Sequence, residues 1–197
     1  MELDIGRPNG IKTFRVKIKG VKPLLMHSTR VMTESPKMPR GGHLPPKEEA
    51  ELATYRNKKG ELVIPGDSLL GAIKAAATDF KVKGKGKTTY KKFVDSGLEI
   101  GKDAVLTPQE YEIDSRPVVI SRSRIIRSRP RFDEWEATFD VQVLDPDTWL
   151  DSFDEEYSGG GNLRDMIEAA GMFKGLCDFR PRFGRFKVES FNLVEGE

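Results

Sequence analysis

The residues best suited to bind an anion in this chain are arginines, and they fall in two segments. Six arginines occur between Arg116 and Arg131, and three more lie in a glycine-containing stretch near residue 180. A guanidinium stays charged and donates hydrogen bonds in a fixed fork that fits phosphate oxygens. The sequence therefore predicts phosphate binding at both segments. The candidate ligands are Arg122, Arg124, Arg127, Arg129, Arg131, Arg180, Arg182 and Arg185.

The first arginine segment has a competing explanation. The acids Glu134, Glu136 and Asp140 follow it in a strand-like stretch, where they would pair with arginines across a β-hairpin. These acids are too few to neutralise all six arginines of the segment. We therefore expect part of the segment to stay free for a ligand.

Phenylalanines alternate with the arginines of the second segment. Phe179, Phe183 and Phe186 stand beside Arg180, Arg182 and Arg185. Aromatic rings stack on nucleic-acid bases, at about 1–3 kcal/mol for each base, and this favours Phe183 as a stacking residue. The alternative is that the phenylalanines belong to the core and that the loop only joins a helix to a strand.

Lysines form a third basic stretch. Six of them lie between Lys81 and Lys92, in a region that has glycines and no apolar period. We predict a mobile basic loop with Lys83, Lys85 and Lys87 as further nucleic-acid ligands. A solvated surface that binds nothing is the alternative.

His27 is the candidate for acid–base chemistry. It is one of two histidines, and both lie in or beside a long loop that runs to about residue 46. Metal-independent RNA cleavage commonly uses histidine as the base or acid, although a polar loop residue is the other interpretation. With a single cysteine, Cys177, the chain has no cysteine-rich zinc site, and we predict neither a metal nor a cofactor.

The composition favours one domain in the cytoplasm. The chain has 197 residues, a net charge of +2, 32% charged residues and 37% hydrophobic residues. No apolar run approaches the roughly 18 residues that a membrane span needs, and the N-terminus does not resemble a signal peptide. A single cysteine suits a reducing compartment.

Hydrophobic periodicity predicts the order strand, helix, strand, strand, helix, strand. Strands are expected at residues 11–21, 118–126, 135–143 and 185–193, with the middle two forming a hairpin. Helices are expected after a cap at Asp67 or Ser68 and between Asn162 and Gly171, with an additional short one at 46–55. This is an α+β, ferredoxin-like (RRM-type) βαββαβ core, with an antiparallel sheet, two helices on one face and long loop insertions.

Two stretches resemble the RAMP superfamily, the repeat-associated mysterious proteins of CRISPR systems. The stretch from Val63 to Lys74 is similar to the segment that opens that superfamily's first helix, and Gly175 to Phe186 is similar to its glycine-rich loop, although most of the expected glycines are replaced. The resemblance implies a single RAMP-like domain over residues 1–197, with an insertion at 27–60 after the first strand and a basic insertion at 81–110 after the first helix.

The resemblance implies a function in RNA binding. The chain is most similar to backbone subunits that bind guide RNA and assemble side by side, with copies of themselves and other effector subunits as partners. Some such subunits cleave RNA with an aspartate in the loop after the first strand, and residues 27–45 contain none. The alternatives are an endoribonuclease that uses His27, a single-stranded-DNA-binding protein of a phage or plasmid, and a scaffold without nucleic acid. Binding about six phosphates predicts a log–log salt slope near −4.

Overall fold

The chain is described by a computed structural model, which covers residues 10–37, 43–82, 85–120, 122–149 and 161–194. Its strands are β1 (Lys12–Gly20), β2 (Leu24–Leu25), β3 (Val63–Ile64), β4 (Leu98–Glu99), β5 (Ala104–Thr107), β6 (Glu112–Ile120), β7 (Ser123–Phe132), β8 (Glu136–Val143) and β9 (Phe186–Val194). Its α-helices are α1 (Arg30–Thr33), α2 (Pro46–Leu52), α3 (Gly66–Ala76), α4 (Val94–Gly97), α5 (Pro146–Trp149) and α6 (Gly161–Ala169). Within these residues, no helix combines the length and the apolar character that crossing a bilayer requires.

The main sheet is antiparallel and has the strand order β3-β5-β8-β1-β9, with β4 also paired to β8. Alternation along β1 buries Phe14, Val16 and Ile18. These side chains form one core with residues of both long helices, such as Ile73 of α3 and Met166 of α6. The predicted ferredoxin-like fold is therefore confirmed, with β1, β5, β8 and β9 as its four strands and α3 and α6 as its two helices.

The predicted hairpin was wrong. β7, which carries the arginines, pairs with β6 in a second, three-stranded sheet of order β2-β7-β6. β8 pairs instead with β1, β4 and β5. All the apolar side chains that alternate along β8 are buried in the main core, and this fixes β8 in the centre of the main sheet.

The second strand of the core is β5, whereas the sequence placed it at residues 118–126. β5 has four residues, and only Ala104 and Leu106 turn inward. So short a strand produces almost no period. It lies within the 81–110 segment, so that this segment contributes to the main sheet; the division of the chain into one domain with two insertions stays a prediction.

The end of the lysine segment is anchored rather than loose. A 3₁₀ helix covers Tyr90–Phe93, and Tyr90 is buried against Trp149 with ring centroids 5.2 Å apart. A backbone bridge joins Lys81 to Thr89. Lys83 lies outside the described residues.

Two predicted details of the helices differ in the structure, and the last strand contains an irregularity. Neither Asp67 nor Ser68 caps α3, which begins at Gly66 directly after Pro65 and has no side-chain cap. Gly171 does not end the second helix, because a π-helical turn continues from Ala170 to Lys174. A bulge in β9 opposite Lys17 and Ile18 changes its alternation, so that Phe186 and Phe191 are both buried. The sequence also predicts a glycine hinge at residues 158–161; residues 158–160 lie outside the described residues, and Gly161 is the first residue of α6.

Candidate nucleic-acid interface

A glycine-closed loop, Gly175–Arg185, leads into β9 and is called the C-terminal loop here. Gly175 and Gly184 both adopt a φ of +70°, which a residue without Cβ reaches without strain. Gly184 accepts a hydrogen bond from Leu176 N–H at 2.9 Å and donates to Pro23 O at 2.8 Å. A Cβ on Gly184 would lie 2.1 Å from Leu176 O. The two glycines therefore fold the loop back against the chain that follows β1.

The C-terminal loop packs against the β6–β7 hairpin through arginine and aromatic side chains. The Arg116 guanidinium lies 4.8 Å from the ring centroid of Phe183 and 5.5 Å from that of Phe179. Arg129 also lies 4.8 Å from the ring centroid of Phe179 and forms an ion pair with Asp178 at 2.5 Å. The two arginine segments, distant in sequence, therefore meet in the folded chain.

Most arginines of the hairpin are already paired with carboxylates. Arg127 contacts Glu49 at 2.8 Å, and Arg131 contacts Asp133 at 2.7 Å and Asp114 at 3.3 Å. Asp114 also pairs with Arg116, whose hydrogen bonds lower the pKa of this aspartate. None of these partners is one of the acids that the sequence suggested.

Glu49 is the acid that fixes the arginine strand to α2. Its side chain is only 5% exposed. One carboxylate oxygen accepts from Arg127 and the other accepts the backbone N–H of Ser128 at 2.9 Å. Two of the acids predicted to pair with the hairpin lie instead on the main sheet, where Asp140 contacts Arg15 and Glu136 contacts lysines of β1. The third, Glu134, lies in the bend before β8.

Five other arginines, two at the tip of the β6–β7 hairpin and three in the C-terminal loop, are grouped here under the name loop surface. Four of them are exposed, and none of these four has a carboxylate of the described residues within 4.0 Å. The fifth is partly buried and donates to Pro181 O at 2.8 Å. The members of the loop surface are Arg122, Arg124, Arg180, Arg182 and Arg185.

A cleft lies between strand β7 of the hairpin and the C-terminal loop. Arg131 of β7 and Arg182, Phe183 and Arg185 of the C-terminal loop line it, together with Lys22. Its volume is about 380 Å³. The cleft therefore brings guanidinium groups from both segments to one aromatic ring, an arrangement suited to a phosphate and its neighbouring base.

The lysine segment is separate from the cleft beside Phe183. Lys85 lies over the ring of Phe93 at 5.1 Å, and Lys87 is exposed. Neither side chain lines the cleft beside Phe183. Their predicted contact with nucleic acid stays a prediction.

His27 lies between two further clefts. Arg127 and Arg129 line one of them with Met32, and Asp67, Gly71 and Arg180 line the other. Burial, aided by the charge of Arg129, lowers the pKa of His27. The imidazole is therefore neutral at pH 7 and able to accept a proton, while a role in RNA cleavage stays a prediction.

The exposed side of the main sheet, called the sheet face here, has a different character. Residues such as Thr13, Arg15, Lys17, Thr138 and Asp140 line a cleft of about 580 Å³ on this side. RRM modules stack bases on aromatic side chains of their sheet, whereas β1 presents Thr13, Arg15 and Lys17 here. This face therefore lacks the arrangement that an RRM uses on β1.

Sequence reasoning did not single out two side chains that build this site, Arg116 and Phe179. The sequence gives Arg116 no role beyond membership of its arginine segment, and it does not distinguish Phe179 from the other aromatics of the loop. Phe179 and Phe183 are four residues apart in a loop closed by glycines, a spacing that brings both rings to one side of it. That spacing is the only feature of the sequence that points to this contact, because Arg116, which lies beside both rings, comes from another part of the chain.

No protein-family model matches the chain, and no curated protein matches it. Chains of solved structures do match, among them a chain in the cryo-EM structure of the Type III-B Cmr-beta bound to cognate target RNA. That match has a TM-score of 0.57 and 10% sequence identity. It covers 94% of this chain and 61% of the other, so that this chain spans about three fifths of the length of the one that it matches. The two chains therefore share a fold.

Proposed function

We propose that this protein binds single-stranded RNA as a RAMP-type, guide-RNA-binding backbone subunit that assembles side by side along the strand in a CRISPR-type ribonucleoprotein. The observation that carries the proposal is the loop surface. Its arginines come from two distant segments, and four of them are exposed and have no carboxylate partner among the described residues. Guanidinium groups without partners at a surface are suited to phosphate oxygens.

The Phe183 ring adds a stacking position to the loop surface. The ring lines a cleft with Arg131, Arg182 and Arg185. The Arg116 guanidinium also lies 4.8 Å from its centroid. A single strand presents both phosphates and unstacked base faces, whereas a duplex hides the base faces. This combination favours single-stranded over double-stranded nucleic acid.

The shared fold gives independent support for RNA as the ligand. The chain of the Type III-B Cmr-beta structure belongs to an assembly bound to cognate target RNA. A fold by itself does not determine a function, and the proposal therefore depends first on the arginines and then on this likeness.

Binding of a fluorescent 30-nucleotide RNA, measured by anisotropy at several salt concentrations, tests the proposal. About five phosphates held by the loop surface predict a log–log slope of about −3.5, slightly shallower than the value expected from the sequence because Arg127, Arg129 and Arg131 are paired. The control is the double variant Lys58→Ala/Lys59→Ala, which removes two lysine charges from an exposed turn outside the loop surface. This variant should bind the RNA as the wild type does. A salt-independent signal, or no binding at any salt concentration, contradicts the proposal.

Three further measurements separate the alternatives. Competition with DNA of the same sequence distinguishes RNA from DNA binding, because only RNA offers the 2′-hydroxyl. Incubation of RNA with wild type and with His27→Ala tests cleavage, and intact RNA in both removes the endoribonuclease. The number of protein molecules bound to each RNA tests the assembly. A number that rises in steps with RNA length supports side-by-side assembly, whereas a single protein molecule on RNAs of every length contradicts it.

A further inference from the structure

The second cleft beside His27 shares Arg180 with the loop surface, and the phosphate binding proposed above uses none of its other residues. Its volume is about 360 Å³, at the lower end of the range for small-ligand sites. Four separate parts of the chain line it: His27, Tyr55, the first half of α3, and the start of the C-terminal loop with Arg180. A cleft with walls from four parts of the chain has a defined shape, and its polar groups indicate what it holds.

Asp67 is the acceptor in this cleft. It is exposed in the first turn of α3, and it neither caps the helix nor forms an ion pair or hydrogen bond with the described residues. The fold therefore leaves both oxygens of this carboxylate available. A carboxylate binds best to two adjacent N–H donors.

Gly71 provides room in the same cleft. It lies in the interior of α3, where glycine is less favourable than alanine. A Cβ built on Gly71 meets nothing within 4 Å, whereas one on Gly66 would lie 2.6 Å from Ile100 O. Packing inside the protein requires glycine at position 66 but not at position 71. The space beside Gly71 is therefore open toward the cleft.

His27 and Arg180 complete the polar lining. The Nδ1 atom of His27 is buried and has no hydrogen-bond partner among the described residues, and a buried polar atom of this kind calls for a partner. Arg180 also lines the cleft, is exposed, and has no carboxylate of the described residues within 4.0 Å. The cleft thus combines one free carboxylate, one guanidinium, one unpaired imidazole nitrogen and the aromatic ring of Tyr55.

We infer that this cleft is a base-specific subsite that takes a guanine of the bound RNA. Guanine presents two adjacent donors, N1–H and the exocyclic amine, which fit the Asp67 carboxylate, and it presents acceptors at O6 and N7, which fit Arg180. Adenine, cytosine and uracil lack that pair of adjacent donors. The inference depends on the proposed RNA binding and adds a preference at one position to otherwise sequence-independent phosphate contacts.

The test uses four 20-nucleotide RNAs with a uridine background. One is uridine throughout, and the others carry guanosine, inosine or adenosine at every fifth position. Inosine lacks only the exocyclic amine of guanosine, so that it removes one of the two hydrogen bonds to Asp67. We expect the guanosine RNA to bind about tenfold tighter than the other three.

Two variants place the preference in the cleft. Asp67→Asn removes the paired acceptors, and Gly71→Leu fills the open space with a good helix former. Both should lose the preference for guanosine while they bind the uridine RNA at least as well as before. Gly71→Leu should also melt no lower than the wild type, which shows that any loss does not come from unfolding.

The possible results have distinct meanings. Equal binding of all four RNAs, or equal binding of guanosine and inosine RNAs, overturns the guanine subsite and leaves the proposed RNA binding intact. A guanosine preference that persists in both variants overturns its placement beside α3. Failure to bind any of the four RNAs overturns the proposed function and the subsite together.

Discussion

The sheet face and the loop surface are both rich in basic side chains, and they differ in how those charges are paired. On the sheet face, Arg15 lies directly across from Asp140 in the strand register, and Lys17 contacts Glu136 and Glu189. On the loop surface, Arg122, Arg124, Arg180 and Arg182 have no such partner among the described residues. A net charge of +2 therefore conceals one neutralised surface and one cationic surface.

The comparison indicates that the attraction of a basic side chain for phosphate depends on whether a carboxylate lies beside it. Exposed ion pairs such as Arg15–Asp140 add little to the stability of a protein, because water and salt screen the two charges. They nevertheless reduce the attraction of a surface for phosphate, since the acid repels it. We expect RNA to bind the loop surface and to avoid the sheet face.

The largest expected effect comes from removing the free arginines. The variant Arg122→Ala/Arg124→Ala/Arg180→Ala/Arg182→Ala should lose about 10³-fold in RNA affinity at about 50 mM salt, with a salt slope shallower by about 3. The control on the sheet face, Arg15→Ala/Lys17→Ala/Lys19→Ala, removes three cations instead of four and should change the affinity less than threefold. Anisotropy titrations compare the two. Equal losses of RNA affinity in both variants would contradict the difference between the loop surface and the sheet face.

The next effect concerns the buried acid that positions the arginine strand. Glu49→Gln leaves Arg127 without its charge partner and weakens the contact to Ser128 N–H, so that the free energy of unfolding should fall by about 2–3 kcal/mol. Glu189→Gln, which changes an acid of the sheet face, should lower it by less than 1 kcal/mol. Urea denaturation measures both. Similar values would show that Glu49 does not act as a buried partner.

A smaller effect is expected from the arginine between the two phenylalanines. Arg116→Ala removes its contacts to Phe179 and Phe183, each of the kind that contributes about 0.5–2 kcal/mol, and frees the C-terminal loop to move. RNA affinity should fall about fivefold. Arg56→Ala is the control, because Arg56 pairs with Glu51 and does not line the cleft beside Phe183. Unchanged affinity in Arg116→Ala would remove the aromatic contact from the binding site.

The smallest effect is a pH dependence of stability from His27. Burial and Arg129 lower its pKa in the folded chain below the ordinary value of 6.5, so that the unfolded chain binds the proton more readily. The contribution of His27 is therefore fully present above about pH 6.5 and is lost as the pH falls below it. Between about pH 7.5 and 5.5, the wild type should lose more stability than His27→Gln. Parallel stability curves for the two proteins would contradict the shift.

The core of the fold was predictable because its main elements carry a clear period. Phe14, Val16 and Ile18 alternate along β1, and Leu69 and Ile73 mark one stripe of α3. The second strand was missed because β5 has only four residues. The partner of β7 was missed because Asp114, Arg116 and Pro117 interrupt any apolar alternation in β6.

The site was predictable only in part, for a related reason. The residue types and the two arginine segments are visible in the sequence, and the structure does bring them together. Their carboxylate partners are not visible, since Glu49 lies about 80 positions from Arg127 and Asp178 about 50 from Arg129. Which arginines are neutralised is therefore decided by tertiary contacts, and the assignment of RNA ligands among them stays a prediction.

Crosslinking tests most directly whether RNA lies on the loop surface. The protein would be irradiated with RNA that carries 4-thiouridine, and the crosslinked residues would be identified by mass spectrometry. We expect crosslinks at Phe179 and Phe183 and along the β6–β7 hairpin. Crosslinks confined to β1 and β8, beside Arg15 and Asp140, would contradict this placement.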